Sequence, residues 1–323
     1  MNIKPEHVHA LAKLGYTERE AQFLYIVATY SGHFLRRQFS EFTGAVRGRA
    51  DHEFLSEAIK RGHVREFPYT GDHSKRYHLY SRIVYRAIGK ENSANRKPGS
   101  EAKTNLKLRI LNFVLDNPGE DYLEEEQDKV RYFAVEKGIS QTLLPAIVYE
   151  NDSGSEKTFR CFADKFPLFV SQANSKARSL ITFTYFEDDF ETSSRFAAHL
   201  KSYKPLLKAL DGPYRFIYVS DESNRFDRAE KQFNAMMADP DGQPYYPTLS
   251  AYFRLRKLWQ EKRYEKFADS DYVALNRGEK KFSNPEHEQL YQQWLTGKIA
   301  ADPNGDQVQS PPTNLAIFET YAL

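Results

Sequence analysis

The chain has very little cysteine. Cys161 is the only one among 323 residues. This excludes an intrachain disulfide and leaves a cysteine-based zinc site without its other ligands. Such a content is typical of a protein from a reducing compartment. We expect Cys161 to be a small apolar side chain buried in a strand, and not a nucleophile.

Long apolar runs are also absent. Stretches such as residues 143–148 are much shorter than the roughly 18 apolar residues that cross a bilayer. The first residues contain no apolar core of a signal peptide. We therefore predict a cytoplasmic protein with no membrane partner.

Sequence motifs for cofactors and common hydrolases are missing as well. The chain contains no Gly-x-x-x-x-Gly-Lys-Ser/Thr or Gly-x-Gly-x-x-Gly phosphate loop, no His-Glu-x-x-His pair and no Gly-x-Ser-x-Gly elbow. We therefore predict no small-molecule cofactor and no metal site.

Charge, in contrast, is present and unevenly distributed. Residues 33–103 carry 15 Lys and Arg residues against 8 Asp and Glu residues, so this segment has a net charge of +7 in a chain whose total is +2. A cationic segment on an acidic body is expected when one module contacts a polyanion such as DNA. Chance segregation of charge is the alternative.

The first 90 residues show clear helical and strand periodicity. Thr17 and Glu20 form a capping box in front of an amphipathic helix. Gly44 and Gly62 stand where helices end, and a Gly-Asp turn separates two short strands. The predicted elements are helices over 7–14, 18–30, 34–44 and 48–61, strands over 63–69 and 75–80, and a helix over 81–88.

This order of elements is that of a winged helix-turn-helix, in which one helix enters the major groove of DNA and the hairpin follows the backbone. We therefore predict that residues 1–89 are a domain that binds double-stranded DNA with sequence specificity. The predicted DNA-contacting residues lie on the third helix, on the supporting helix and at the wing. They are Arg47, Arg49 and His52, then Arg36 and Arg37, then Lys75 and Arg76.

The third helix also carries acids that would repel phosphates, among them Asp51, Glu53 and Glu57. Winged helices serve in protein–protein interactions too. A protein-interaction module therefore stays open as an alternative function.

The remainder of the chain is predicted to be a second domain. Residues 90–103 are polar and contain Pro98 and Gly99, which indicates a basic linker. Strands interleaved with helices predict an α/β domain with a mixed sheet over 104–299, and residues 300–323 are predicted to be a C-terminal loop or tail. The fold class is thus α+β or α/β. The predicted strands are 144–150, 157–162, 179–186 and 214–220, and the longest predicted helices are 193–210, 222–237 and 249–267.

The combination resembles the replication-relaxation family, winged-helix proteins of bacterial mobile elements such as plasmids, whose second domain is similar to restriction endonucleases. The resemblance rests on residues 17–30, 34–62, the wing to Tyr80, 162–167, 181–187 and the helix that bears Tyr203. It implies a transcriptional regulator or an accessory protein in DNA processing.

The resemblance also raises a second function, a metal-dependent DNA nuclease. Asp164 and Glu187 would bind the metal, and Lys201 is a candidate for the lysine that stabilises charge. A nuclease of this type has a lysine two residues after the strand carboxylate, where this chain has Asp189. We therefore expect a body domain without catalytic activity.

A homodimer is the expected assembly, because one winged helix reads few base pairs and two linked modules bind more tightly than one. The aromatic-rich helix predicted over 249–267 is the candidate interface.

Overall fold

The computed structural model describes most of the chain, with gaps. The described residues are 3–44, 48–69, 75–150, 157–171, 179–187, 193–210, 212–237, 249–267, 271–272, 275, 278–279, 282, 285–296 and 316–323. The chain divides into two compact units, one of residues 1–233 with 314–323 and one of residues 234–313. No helix in the described part of the chain is long and apolar enough to cross a membrane.

The protein is a mixed α+β protein, which confirms the predicted fold class at that level. Its helices are α1 (Pro5–Ala12), α2 (Glu18–Tyr30), α3 (Arg36–Thr43), α4 (Arg49–Lys60), α5 (Arg82–Ala87), α6 (Glu101–Asp116), α7 (Glu126–Arg131), α8 (Ser193–Ala209), α9 (Phe226–Met237), α10 (Leu249–Gln260) and α11 (Pro285–Leu295). Its strands are β1 (His33–Leu35), β2 (Val64–Pro68), β3 (Lys75–Leu79), β4 (Asp121–Tyr122), β5 (Ala146–Glu150), β6 (Lys157–Cys161), β7 (Leu168–Ser171), β8 (Leu180–Phe186), β9 (Tyr214–Ser220) and β10 (Ala316–Ala322).

Helix α2 has the predicted bounds because its N-terminus is capped locally. The Thr17 hydroxyl accepts a hydrogen bond from the backbone N–H of Glu20, and the Glu20 carboxylate accepts one from the backbone N–H of Thr17. The two bonds satisfy two of the donors that a helix start leaves without partners.

The first three strands form an antiparallel sheet in the order β1-β3-β2. Strands β2 and β3 confirm the predicted hairpin, whereas the sequence does not predict β1, whose three residues adjoin a helical pattern. In the register, Phe34 lies opposite Tyr77 and His33 lies opposite His78. Since successive side chains alternate between faces, the two phenyl rings face the core and the two imidazoles share the other face of the sheet.

Residues 90–103 differ from the predicted linker. Asn95 is 5% exposed, and its amide donates to the backbone carbonyls of Ala28 and Thr29 at the end of α2. The buried core runs from α2 through α6 to β7 and β9 without a break. The polar segment is therefore packed in place by hydrogen bonds, and residues 1–89 and 104–233 belong to one compact unit.

The larger sheet is mixed and has the strand order β10-β9-β8-β7-β4. Strands β8, β9 and β10 are parallel, while β7 is antiparallel to both of its neighbours. Strand β10 corrects the last part of the predicted loop or tail over 300–323, because it pairs with β9 along its whole length. Residues 300–315 of that prediction lie outside the described residues. Its side chains are mostly half-buried or exposed, so they lack the alternation that predicts a strand.

The smaller unit contains α10 and α11. The core cluster of its described residues is aromatic and consists of Tyr252, Phe253, Phe282 and Tyr291, and Leu255 is buried as well. The helix predicted over 249–267 ends at Gln260, and a single 3₁₀ turn follows at Tyr264–Lys266.

Candidate functional site

The predicted DNA-contacting residue Arg36 is held by an acid. Its Nε lies 2.5 Å from Oδ2 of Asp51, which is fully buried at the start of α4. Asp51 also accepts hydrogen bonds from the Ser40 hydroxyl and from the backbone N–H of Gly48. The Arg36 guanidinium beside it holds the pKa of the Asp51 carboxyl well below its usual range. Arg36 thus braces α3 against α4.

Two other predicted contacts, Arg49 and Lys75, are exposed and paired with glutamates. The Nε of Arg49 lies 2.5 Å from Glu53 on the next turn of α4, and the Nζ of Lys75 lies 2.9 Å from Glu66 on β2. Exposed pairs of this kind contribute little to stability and are readily exchanged. Both cations can therefore transfer to a phosphate.

Arg37 and His52 are exposed, and their side chains make no hydrogen bond or ion pair with the described residues. Arg76 is half-buried, with its guanidinium 5.8 Å from the centre of the Phe67 ring. Arg47 lies outside the described residues. Of the predicted set, Arg37, Arg49, His52 and Lys75 are thus open to solvent, as is Arg36, which the buried Asp51 holds in place.

A second group of basic side chains lies on the face of the three-stranded sheet opposite the core, and sequence reasoning identified only its Arg76. The rings of His33 and His78 stack there with their centres 4.2 Å apart. Burial, together with the neighbouring His78 and the charges of Lys107 and Arg76, lowers the pKa of His33 to about 3. We call His33, His78, Arg65, Arg76 and Lys107 the outer-face cluster.

Lys107 of α6 is half-buried and is the member of the outer-face cluster that does not belong to the sheet. Burial and, to a smaller extent, the charges of Lys165 and Lys103 lower its pKa to about 8. The spacing of Lys103 and Lys107, one helical turn apart, is the signal in the sequence that could have pointed to this cluster.

The predicted catalytic carboxylate Asp164 interacts with three neighbouring residues, Tyr203, His199 and Phe166. Its Oδ2 accepts a hydrogen bond of 2.8 Å from the hydroxyl of Tyr203 and lies 3.5 Å from Nδ1 of His199. Its Oδ1 accepts one from the backbone N–H of Phe166. Burial lowers the pKa of His199 to about 4, so this histidine is neutral near pH 7.

The Glu187 carboxylate interacts with other residues than Asp164 does, namely Ser220 and Arg225. Its Oε2 accepts a hydrogen bond of 2.7 Å from the Ser220 hydroxyl, and its Oε1 lies 2.8 Å from the guanidinium of Arg225. Lys201 is exposed on α8, while Tyr203 of the same helix is buried. The three predicted catalytic residues therefore share no partner in the part of the chain that the structure describes.

The described residues contain no group of three or more His, Cys, Asp and Glu side chains that could hold a metal ion. They do contain a buried lysine that the sequence did not single out, Lys129, whose Nζ donates to the backbone carbonyl of Phe166. This bond, with those of Asp164, ties the segment before β7 to α7 and α8.

Cys161 lies on β6 and is half-buried rather than buried. Burial raises the pKa of its thiol, which reduces the nucleophilic thiolate at neutral pH.

Comparison of the chain with known protein families, with characterised proteins and with solved structures found no match. Function therefore has to be inferred from the fold and its side chains.

Proposed function

We propose that the chain is a double-stranded DNA-binding protein whose residues 1–89 form a winged helix-turn-helix. The observation that carries this proposal is the order β1, α3, α4, β2, β3 together with the strand order β1-β3-β2. A helix followed directly by a hairpin suits insertion into the major groove with the hairpin along the backbone. We take α4 as the helix that enters the groove.

The side chains of α4 support this orientation. Arg49, His52 and Glu53 are exposed, whereas Phe54 and Leu55 are buried in the core. The helix therefore has one face fixed to the domain and another free for base edges or phosphates. The pair between Arg36 and the buried Asp51 fixes the angle between α3 and α4, which a helix needs if it is to enter a groove in one register.

Arg37 supplies a phosphate contact at the start of α3, since its guanidinium is paired with no acid among the described residues. Arg49 and Lys75 add contacts by exchanging Glu53 and Glu66 for phosphates. Each phosphate neutralised by a cation releases counterions, so affinity falls as salt concentration rises.

The body acts as a scaffold in this proposal and not as a nuclease. Its mixed sheet flanked by helices suits a fold similar to restriction endonucleases. However, Arg225 already neutralises Glu187, and Asp164 is hydrogen-bonded to Tyr203. The function is then transcriptional regulation or an accessory role in DNA processing.

A homodimer, with the exposed Trp259 and Tyr264 as its candidate interface, would place two winged helices on one DNA site.

The test is a duplex-binding titration of the full chain at several salt concentrations. The double variant Arg37→Ala/Arg49→Ala should bind at least tenfold more weakly, and the slope of log affinity against log salt should fall by about 2. The matched control Lys13→Ala/Lys231→Ala removes two exposed charges outside the proposed interface and should bind like the unaltered chain. Equal affinities of the two double variants would overturn the proposal.

A further inference from the structure

The hairpin of β5 and β6 leaves apolar side chains open to solvent. Ile147, Val148 and Tyr149 of β5 are 49%, 47% and 49% exposed, and Phe159 of β6 is 63% exposed. Val148 lies opposite Phe159 on one face, whereas Ile147 and Tyr149 lie on the other face. Counted over both faces, these side chains present on the order of 400 Å² of apolar surface, which is in the range of patches that serve as interaction sites.

The outer edge of β6 is covered by α7. The Glu126 carboxylate accepts a hydrogen bond of 2.6 Å from the backbone N–H of Cys161 and lies 3.7 Å from the Arg160 guanidinium. Val130 of α7 lines a groove together with Phe159. A side chain thus takes the place that a further strand would occupy at this edge.

The outer edge of β5 presents backbone groups that are ready to pair. The backbone N–H of Phe162 donates to the carbonyl of Pro145, the residue just before β5. Because hydrogen-bonded pairs alternate along an antiparallel ladder, Ile147 and Tyr149 bond to β6, and the backbone groups of Val148 point outward. Among the described residues, β5 pairs with no strand other than β6.

The sequence of β5 has none of the usual protection of an edge strand. Native sheets protect their edges with lysine, proline, a bulge or a covering element. Residues 146–150 contain neither lysine nor proline, their pairing with β6 is regular, and residues 147–149 are exposed. Such an edge is a template for pairing with another strand.

A second copy of β5 is a complementary partner for this edge. When two copies pair antiparallel about Val148, each Val148 lies opposite its counterpart, and Ile147 lies opposite Tyr149 of the other copy. A branched side chain opposite an aromatic ring is a favourable cross-strand pair. On the other face, the two Val148 side chains lie between the two Phe159 rings, so an apolar row crosses all four strands.

We propose that β5 pairs antiparallel with β5 of a second copy of the chain, with Val148 on the two-fold axis, and that this pairing forms a homodimer. The pairing rests on β5 alone, while the use of the dimer on a DNA site rests on the proposed function.

Trp259 and Tyr264 of the smaller unit are the other candidate surface. They are exposed, but a surface of side chains alone offers no row of backbone donors and acceptors. The exposed Lys262 and Lys266 lie beside them in the chain, so a two-fold interface there brings like charges towards each other. The backbone and the charges therefore favour β5.

The first experiment is sedimentation equilibrium of the full chain. Because the apolar area is small, we expect self-association between about 1 and 100 µM. Val148→Lys places two ammonium groups opposite each other and should weaken the association roughly tenfold or more, whereas Val148→Thr keeps a branched side chain and should retain it. A chain that stays monomeric over this range, or association of Val148→Lys as tight as that of the unaltered chain, would overturn the proposal.

The second experiment mixes two charged variants. Val148→Lys and Val148→Glu should each associate weakly, and their equimolar mixture should associate roughly tenfold more tightly than either one alone, because opposite charges then face each other across the axis. This rescue also shows that both variants are folded. A mixture no tighter than the single variants would contradict the register about Val148.

The third experiment separates the two candidate surfaces. Trp259→Ala should leave self-association unchanged. Monomeric Trp259→Ala together with dimeric Val148→Lys would overturn the proposal and assign the dimer to the smaller unit.

Duplex titration of the unaltered chain keeps this inference distinct from the proposed function. Self-association through β5 in a chain that binds no duplex would support the pairing and reject the proposed function. Duplex binding by a chain that stays monomeric would support the proposed function and overturn the pairing.

Discussion

Arg36 and Asp51 are joined across α3 and α4 by an ion pair in which the carboxylate is fully buried and the guanidinium is 44% exposed. The carboxylate accepts two further hydrogen bonds, from Ser40 and from the backbone of Gly48. One acid thus connects the end of α3, the start of α4 and the first arginine of the proposed DNA-binding surface.

Replacing Asp51 with alanine should destabilise the protein. The substitution leaves Ser40, Gly48 and Arg36 without their acceptor, and we expect the free energy of unfolding to fall by about 2 kcal/mol. Denaturant unfolding measures the change. Glu53→Ala, which removes an exposed acid from the same helix, is the matched control and should leave stability nearly unchanged. Equal losses in the two variants would show that Asp51 has no special structural role.

Gly32 should tolerate no side chain. Its φ is +75°, and a Cβ atom there would lie 2.1 Å from the backbone oxygen of Asn95. We expect Gly32→Ala to lower the free energy of unfolding by about 3 kcal/mol or more, through backbone strain and overlap together. Gly44→Ala has a similar φ of +68° with nothing within 4 Å, so only the strain of about 1 kcal/mol remains. A larger loss in Gly44→Ala would refute this view of how residues 90–103 are anchored.

The sequence predicts the elements that depend on local signals. Helix α2 follows from the Thr17 capping box, and the β2–β3 hairpin follows from its turn and flanking strands. Strand β10 could not be predicted from the sequence. It is held in place by parallel pairing with β9, and its side chains are half-buried or exposed. The anchoring of Asn95 depends in the same way on carbonyls more than 60 positions earlier in the chain.

The distinction between local sequence signals and contacts of distant residues also applies to the candidate site. The sequence identifies exposed cations such as Arg37 and Arg49 from their places on helices. It does not reveal that Arg36 is paired with an acid 15 residues away, or that His33 stacks on His78 of another strand. Pairing and burial decide which cations are free to bind phosphate, and both are properties of the folded chain.

Stability should fall as the pH drops from 7 to 5. The pKa of His33 is about 3 in the folded protein, against 6.5 for an ordinary histidine. Below pH 6.5 the unfolded chain takes up a proton that the folded chain does not, so this histidine removes about 2 kcal/mol of stability by pH 5. His199, with a pKa of about 4, acts in the same direction.

Unfolding measured at pH 7, 6 and 5 tests this dependence. His33→Phe keeps a flat ring and should reduce the slope of stability against pH, while His52→Gln, at an exposed position, should not. An unchanged slope in His33→Phe would contradict the assignment of the pH dependence to this residue.

Supercoiled plasmid should remain uncleaved after incubation with the protein and Mg²⁺ or Mn²⁺. Glu187 is bound by Arg225 and Ser220, and Asp164 by Tyr203, so the two carboxylates have different partners. Gel electrophoresis of the plasmid measures the outcome. Cleavage that disappears in Asp164→Ala/Glu187→Ala would establish the nuclease function in place of a scaffold.

The central claim is that α4 enters the major groove and contacts base edges. Its most direct test is selection of bound sequences from a random pool of DNA duplexes by the full chain. We expect a short motif to be enriched, and we expect Arg49→Ala/His52→Ala to lose or alter that motif while the fold is retained. A pool that stays random after selection, or a motif unchanged in the double variant, would contradict the assignment of α4 as the recognition helix.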